Sequence, residues 1–108
     1  MSYSSIQIDF NVACAQAKKL EDCAEEMKRL ANQKMSNAID EMSAGWKGES
    51  ATAYFKKADA VKKNIIATSE TLYTVANSIR TQAKRIYDAE REALRIAEQR
   101  NAGSGGFR

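Results

Sequence analysis

The sequence contains no proline, no histidine and only two cysteines. Histidine is the commonest general base and a frequent zinc ligand, and two cysteines without it cannot build a typical zinc site. The sequence also lacks a glycine-rich phosphate loop followed by Lys and Ser or Thr, and no nucleophile has an adjacent base. We therefore expect a protein that is not an enzyme, needs no metal or cofactor, and acts by binding or assembly.

Long apolar runs are also missing, so no transmembrane segment is expected. The N-terminus has no basic region followed by an apolar core, so no cleaved signal peptide is expected either. The protein is therefore expected either to stay in the cytoplasm or to be exported by a system that recognises something other than a cleaved signal peptide. The net charge of +3, from 17 basic and 14 acidic residues, is too small for a typical nucleic-acid binder. A solvated helix face explains the basic cluster Lys56, Lys57, Lys62 and Lys63 better than a phosphate site does.

The two cysteines, Cys14 and Cys23, fall within one predicted helix. At roughly 1.5 Å per residue they would lie about 13 Å apart on opposite faces, too far for an intrachain disulfide. Their simplest role is that of small buried hydrophobic residues. An intermolecular disulfide is the alternative.

The first long helix is predicted at about residues 9–42, after a polar arm at residues 1–8 with a short extended piece. Asp9 is the expected N-cap, with Ser5 as an alternative. Apolar and small residues recur at intervals of three and four, with an interruption at Lys34. They are Ala13, Ala17, Leu20, Ala24, Met27, Ala31, Ala38 and Met42.

The second long helix is predicted at about residues 50–98, with Ser50 as a candidate cap and residues 99–108 as a flexible tail. Its apolar stripe alternates steps of three and four, which is typical of coiled-coil packing. The stripe comprises Tyr54, Ala58, Val61, Ile65, Thr68, Leu72, Val75, Ile79, Ala83, Ile86, Glu90, Ala93 and Ala97. Because this helix is the longer one, Ile86 to Ala97 are expected to lack an intrachain partner.

The bend between the helices, at residues 43–49, holds the only Trp and two of the five Gly. It predicts an all-α fold, a helix-turn-helix hairpin in a single domain over residues 1–98. Gly45 is expected to adopt the left-handed conformation that ends a helix. In the alternative reading, Gly45 and Gly48 merely end one helix and begin another, and Trp46 is a core anchor. An Ala-rich stripe buries little area, so a partner surface is expected.

Trp46-Lys47-Gly48 at mid-chain, followed by Ala51 and Phe55, resembles the WXG family of early-secreted-antigen-like proteins over residues 6–98. The resemblance implies a substrate of a type VII (ESX or Ess) secretion system, mostly of Gram-positive bacteria. It also implies hairpins that pair antiparallel into a four-helix bundle, as a homodimer or with a paralogous WXG-type protein. Such proteins leave the cell folded, without a cleaved signal peptide, and are recognised by the secretion ATPase.

Many members of that family carry the signal Tyr-x-x-x-Asp/Glu after the second helix. Here the fourth position after Tyr87 is Arg91, and Glu90 is near but misplaced. These residues therefore form a degenerate C-terminal signal, or a partner supplies the signal instead. Trp46, Lys47 and Gly48 are the predicted recognition motif.

Three functions remain open at this point. The first is a secreted substrate or effector-like dimer, which acts by protein–protein binding. The second is a cytoplasmic helper that binds a larger secreted toxin and delivers it to the machinery. The third is a structural helical bundle unrelated to secretion. The predicted seam of the dimer or bundle consists of Leu20, Met27, Tyr54, Ile65, Leu72 and Ile79.

Overall fold

A computed structural model describes residues 2–105, and side chains through residue 103. The helices are α1 at Tyr3–Arg29, a π-helix at Leu30–Met35, α2 at Ser36–Gly45 and α3 at Glu49–Gly105. No strand occurs in this range, and the predicted all-α helical hairpin is confirmed. None of these helices is both long and apolar enough to cross a bilayer. The chain forms two compact units: the bend unit, Lys19–Val75, and the terminal unit, the described parts of Met1–Lys18 and Ala76–Arg108.

Helix α1 begins six residues before the predicted Asp9 cap, at Tyr3. The Oγ of Ser2 accepts a hydrogen bond from the Ser5 N–H (3.1 Å), and the Ser2 N–H donates to the Ser5 Oγ (3.1 Å). This reciprocal pair satisfies N–H groups that a helix start leaves free. The predicted polar arm with an extended piece was therefore wrong for residues 3–8, and Ile6 is buried there.

The first long helix changes register at the π-helix. Up to Ala31 its buried positions follow the predicted intervals. A π turn accommodates one extra residue, so the inward face advances by one position after it. Met35, Ile39 and Ser43 are half-buried, whereas the predicted Ala38 and Met42 are exposed. The stripe predicted beyond Ala31 was therefore wrong by one residue.

The bend is built on one glycine. Helix α2 ends at Gly45, and Trp46 follows in an extended conformation with φ −124° and ψ 115°. Gly48 has φ +112°, a region that L side chains rarely adopt, and α3 starts at the next residue. The Thr52 N–H then donates to the Gly48 carbonyl (3.0 Å). The expected left-handed Gly45 was wrong, because that conformation is at Gly48.

The inward face of α3 includes more polar residues than predicted. Lys62 is half-buried and Ser69 fully buried, whereas the neighbouring Val61 is exposed. At several steps the predicted stripe took the exposed neighbour of an inward-facing residue, as with Val61 beside Lys62 and Val75 beside Ala76, so about half of it lies on a flank of the true face. The centre of the face consists of Ala51, Phe55, Ala58, Lys62, Ile65, Ser69, Leu72, Ala76, Ile79, Ala83, Tyr87, Glu90 and Leu94, and Asp59, Ile66, Tyr73 and Arg80 beside it are also half-buried.

The end of α3 is longer and better partnered than expected. The helix continues to Gly105, so the predicted tail was wrong for residues 99–105, and residues 106–108 lie outside the described range. No residue from Gln99 to Ala102 disfavours a helix strongly. The segment from Ile86 to Ala97 does not lack an intrachain partner, because α1 starts early: in the terminal unit Tyr87 donates a hydrogen bond to Gln7 (3.0 Å).

Candidate functional site

Three aromatic rings meet at the bend. The Trp46 ring lies 5.4 Å from Tyr54 and 5.7 Å from Phe55 between centroids, and the two partners lie 5.9 Å apart. The inclined and edge-on arrangements are those that aromatic pairs prefer. Trp46 nevertheless stays 39% exposed and Tyr54 47% exposed. The cluster therefore holds Trp46 in place and leaves part of its surface for another molecule.

The backbone of the bend explains the spacing of Trp46 and Gly48. Trp46 must leave the helical conformation to reach the first turn of α3, and its N–H still donates to the Met42 carbonyl (2.9 Å). The chain then reverses at Gly48, where the positive φ favours glycine. Lys47 between them is exposed. The three predicted motif residues thus lie together at the surface of the bend unit.

Tyr87 is the centre of a second cluster, in the terminal unit. Its ring lies 4.9 Å from that of Phe10, and its hydroxyl donates to the Gln7 Oε1 (3.0 Å). The hydroxyl also accepts a hydrogen bond from Arg91 Nη1 (3.0 Å). The Lys84 ammonium lies 5.2 Å from the centre of the Tyr87 ring. Tyr87 is therefore half-buried and held from two helices.

Arg91 joins Tyr87 to a second tyrosine. Its guanidinium lies 5.4 Å from the centre of the Tyr87 ring and 5.7 Å from that of Tyr3, both cation–π distances. Desolvation raises the pKa of Tyr3 above 10.0, and the negative charge of Glu98, which accepts its hydrogen bond, raises it further. The phenol of Tyr3 therefore stays neutral at physiological pH.

Glu90, the third residue of the predicted signal, has different surroundings. It is half-buried, and it lines a mostly apolar groove together with Ile6, Asp9, Phe10, Ala13, Ala83, Ile86 and Tyr87. The structure thus places Tyr87 and Arg91 in direct contact, whereas Glu90 borders the groove. Sequence reasoning did not identify Tyr3 as part of this cluster, because residues 1–8 were expected to lie outside the helix.

The predicted seam residues divide into two groups. Five are half-buried within the chain: Leu20, Met27, Ile65, Leu72 and Ile79. Tyr54 is exposed and belongs to the aromatic cluster. On the same helix, Val61 and Val75 are 51% and 41% exposed, and they follow Tyr54 at multiples of seven residues. Tyr54, Val61, Thr68 and Val75 form an exposed line of α3, called here the outer line.

Two polar contacts pair the antiparallel helices within the bend unit. The Lys62 ammonium donates to the Ser36 Oγ (3.1 Å), and Lys28 forms an ion pair with Glu70 (2.6 Å). The hydrogen bond to Glu70 raises the pKa of Lys28 above 10.5. No sequence pattern pointed to either contact.

The two cysteines differ in exposure. Cys14 is half-buried, but Cys23 is exposed, so the expectation of a buried residue was wrong for Cys23. Cys23 falls on an outward-facing position of α1, beyond the stripe that packs inward. In the described range, no group of three or more His, Cys, Asp or Glu side chains is arranged to hold a metal ion.

Comparison with known proteins identifies a family. The family model described as proteins of 100 residues with WXG matches residues 5–91. No curated protein and no solved structure matches the chain. The matched range contains the whole bend and ends at Arg91, so it includes both aromatic clusters except Tyr3.

Proposed function

The chain belongs to the WXG100 family, the small helical substrates of type VII secretion systems, and on that basis we propose that it leaves the cell as a folded dimer. It would travel without a cleaved signal peptide and act through protein–protein contacts as a secreted substrate or effector. The observation that carries the proposal is the bend, where Trp46 is fixed by two rings and remains partly exposed. Trp46, Lys47 and Gly48 would contribute to the surface that the secretion ATPase recognises.

The outer line of α3 supports the dimer. Heptad-spaced apolar residues face solvent in a single chain, and such spacing suits contact with another helix. Full burial of one valine side chain contributes about 1.5–3 kcal/mol, so covering Val61 and Val75 would stabilise a dimer appreciably. The partner would be a second copy or a paralogous WXG-type protein, and the assembly a four-helix bundle.

Two observations favoured the helper function, in which the chain delivers a larger toxin, and the structure removes one of them. It drew on an unpartnered segment from Ile86 to Ala97, but α1 lies against that part of α3 in the terminal unit: Tyr87 donates to Gln7 and Tyr3 to Glu98. The remaining observation is that the sequence departs from the family signal at Arg91. We therefore treat the helper function as an outcome of the export experiment.

Export can be tested directly in the native host. An immunoblot of the culture medium should detect the protein in the parent strain and lose it in a strain without the type VII secretion ATPase. The protein should remain in the cells of the mutant strain. Retention in the cells of both strains would contradict export and favour the helper function or a structural bundle.

The role of the bend can be tested in the same strain with Trp46→Arg. The change removes the exposed indole and adds a charge to the aromatic cluster, so export should fall at least about tenfold, the effect of losing roughly 1.4 kcal/mol of binding. Helical content should stay near that of the parent chain by circular dichroism. Asn37→Arg, which adds the same charge at an exposed position of α2 outside the motif, is the matched control and should leave export unchanged. Undiminished export of Trp46→Arg would rule out recognition through the bend.

A further inference from the structure

We propose that the partner in the dimer is a second copy of this chain, and that the bend unit of each copy docks on the terminal unit of the other. In this contact the Tyr54 ring of one copy enters the apolar groove that Glu90 borders in the other copy, and Lys57 pairs with Glu90. The inference rests on the proposed function, which leaves the partner open between a second copy and a paralogous protein.

The size and lining of the groove select the kind of side chain that it can hold. The groove has a volume of about 140 Å³, and its lining includes Ile6 and Phe10 together with the carboxylates of Asp9 and Glu90. A cavity of about 150 Å³ accommodates a benzene ring, so the groove matches one six-membered ring rather than the indole of Trp46. It therefore suits a phenyl or phenol side chain.

The two carboxylates of the groove are available to a cation. Lys84, which lies six positions before Glu90 on α3, pairs with Asp88 instead (2.9 Å). Within the described part of the chain, no ion pair reaches Asp9 or Glu90. An apolar groove with two carboxylates favours a ring that a basic side chain accompanies, and it disfavours an acidic partner.

The chain itself carries the matching combination on α3. Tyr54 is 47% exposed at the start of the outer line, and Lys57 is exposed three positions later, where it neighbours Tyr54 on the helix surface. Lys63 forms an ion pair with Asp59 (3.0 Å), and Lys62 lies 3.9 Å from the same carboxylate. Lys57 has no such partner among the described residues. Tyr54 and Lys57 thus supply the ring and the charge that the groove accepts.

Both halves of the contact belong to one sequence, so a second copy can return it. In a two-fold pair each copy offers its Tyr54 and Lys57 and receives those of the other, and the contact forms twice. A pairing in which the two bends meet would bring Lys57 against Lys57, and like charges disfavour it. The charge pattern therefore supports self-association in one orientation.

The first experiment measures self-association of the purified chain after two charge reversals, Lys57→Glu and Glu90→Lys. Each variant alone places like charges at both contacts, so its dimer dissociation constant should rise at least about tenfold. An equimolar mixture of the two variants should associate like the parent chain, because the mixed pair has opposite charges at both contacts. Lys56→Glu, the same change at the neighbouring exposed position, is the matched control and should stay within about threefold of the parent.

Circular dichroism should show parental helicity for every variant, and the losses should shrink at high salt because ions screen exposed charges. A mixture that associates no better than the separate variants would overturn the inference. Equal losses for Lys56→Glu and Lys57→Glu would overturn it as well.

The second experiment tests the ring in the same assay. Tyr54→Ala leaves the groove unfilled and should raise the dissociation constant at least about tenfold. Tyr54→Phe keeps a six-membered ring and should stay within about threefold of the parent. Association of Tyr54→Ala as tight as that of the parent would contradict a ring in the groove.

Purification of the chain from the native host separates this inference from the proposed function. We expect a complex of two copies that contains no second sequence. A complex with a different sequence, together with export that depends on the secretion ATPase, would remove the inference and leave the proposed function. A pair of this chain that is never exported would instead remove the proposed function.

Discussion

At the scale of single residues, Gly45 and Gly48 lie three positions apart but differ in backbone conformation, and only one of these positions requires glycine. Gly48 has φ +112°, whereas Gly45 is the last residue of α2. A Cβ added at either position would meet no atom within 4 Å, so steric clash does not distinguish them. Backbone conformation does, because only Gly48 lies where an L side chain is strained.

Gly48→Ala should therefore destabilise the protein by about 1–2 kcal/mol, because alanine disfavours a positive φ. Gly45→Ala is the matched control, and it should be neutral or stabilise by up to about 1 kcal/mol, because alanine is the better helix former. Thermal or urea unfolding followed by circular dichroism measures both. A loss at Gly45 equal to the loss at Gly48 would contradict this assignment of the bend.

At the scale of helices, the π-helix decides which residues of α2 face inward. Before it, Ala17 and Ala24 are buried at the predicted interval; after it, Ile39 takes the place expected for Ala38. The Ser36 hydroxyl donates to the Ala31 carbonyl (3.2 Å) across this turn and accepts a hydrogen bond from Lys62. One additional residue thus sets which face of α2 packs against α3 in the bend unit.

Deletion of Gln33, an exposed residue of the π-helix, should convert this turn to a regular α-helix. The residues after it would keep the faces that they have now, so packing would be retained. Stability should rise by about 1 kcal/mol, the net contribution of one backbone hydrogen bond. Thermal unfolding measures the gain, and Gln33→Ala, which keeps the chain length, should change stability little. A marked loss on deletion would show that the extra residue supports the packing.

The helices themselves were predictable, because apolar residues recur every three or four positions and no proline interrupts them. Trp46 and the glycines on either side of it indicate where the bend lies. The helix start was missed because the Ser2–Ser5 cap depends on two hydroxyls that spacing alone does not distinguish. The face of α3 was misplaced because Lys62 is polar. Its place on the inward face depends on a hydrogen bond to Ser36, a residue 26 positions away.

At the scale of the whole molecule, the candidate sites were only partly predictable. The motif at Trp46 and the pair Tyr87 and Arg91 were predicted from spacing and family resemblance, and their role in recognition stays a prediction. The contribution of Tyr3 was not, because it depends on contacts between residues almost a full chain length apart. The seam was predicted as one stripe, but the structure separates half-buried residues such as Leu72 from the exposed Tyr54, which belongs to the outer line. That separation allows assembly to be tested apart from folding.

The double variant Val61→Glu with Val75→Glu should abolish the dimer and leave the helical content of the chain intact, because both side chains are exposed within one chain. Leu72→Asp should instead unfold the hairpin, since a charge in the half-buried seam costs several kcal/mol. Light scattering after gel filtration gives the mass, and circular dichroism the helicity. Ala67→Glu with Thr74→Glu, both at exposed positions of α3 outside the outer line, should remain dimeric. A dimer that survives the first pair of changes would place the interface elsewhere.

The solitary indole at the bend also makes the protein its own spectroscopic reporter. Trp46 is the only tryptophan, and its two aromatic neighbours both belong to the first turns of α3. Its fluorescence therefore follows the loosening of the bend, whereas far-ultraviolet dichroism sums over all helices. If the two signals change at the same denaturant concentration, the bend and the helices unfold together. If the fluorescence changes first, the interval between the midpoints measures how readily the bend opens by itself.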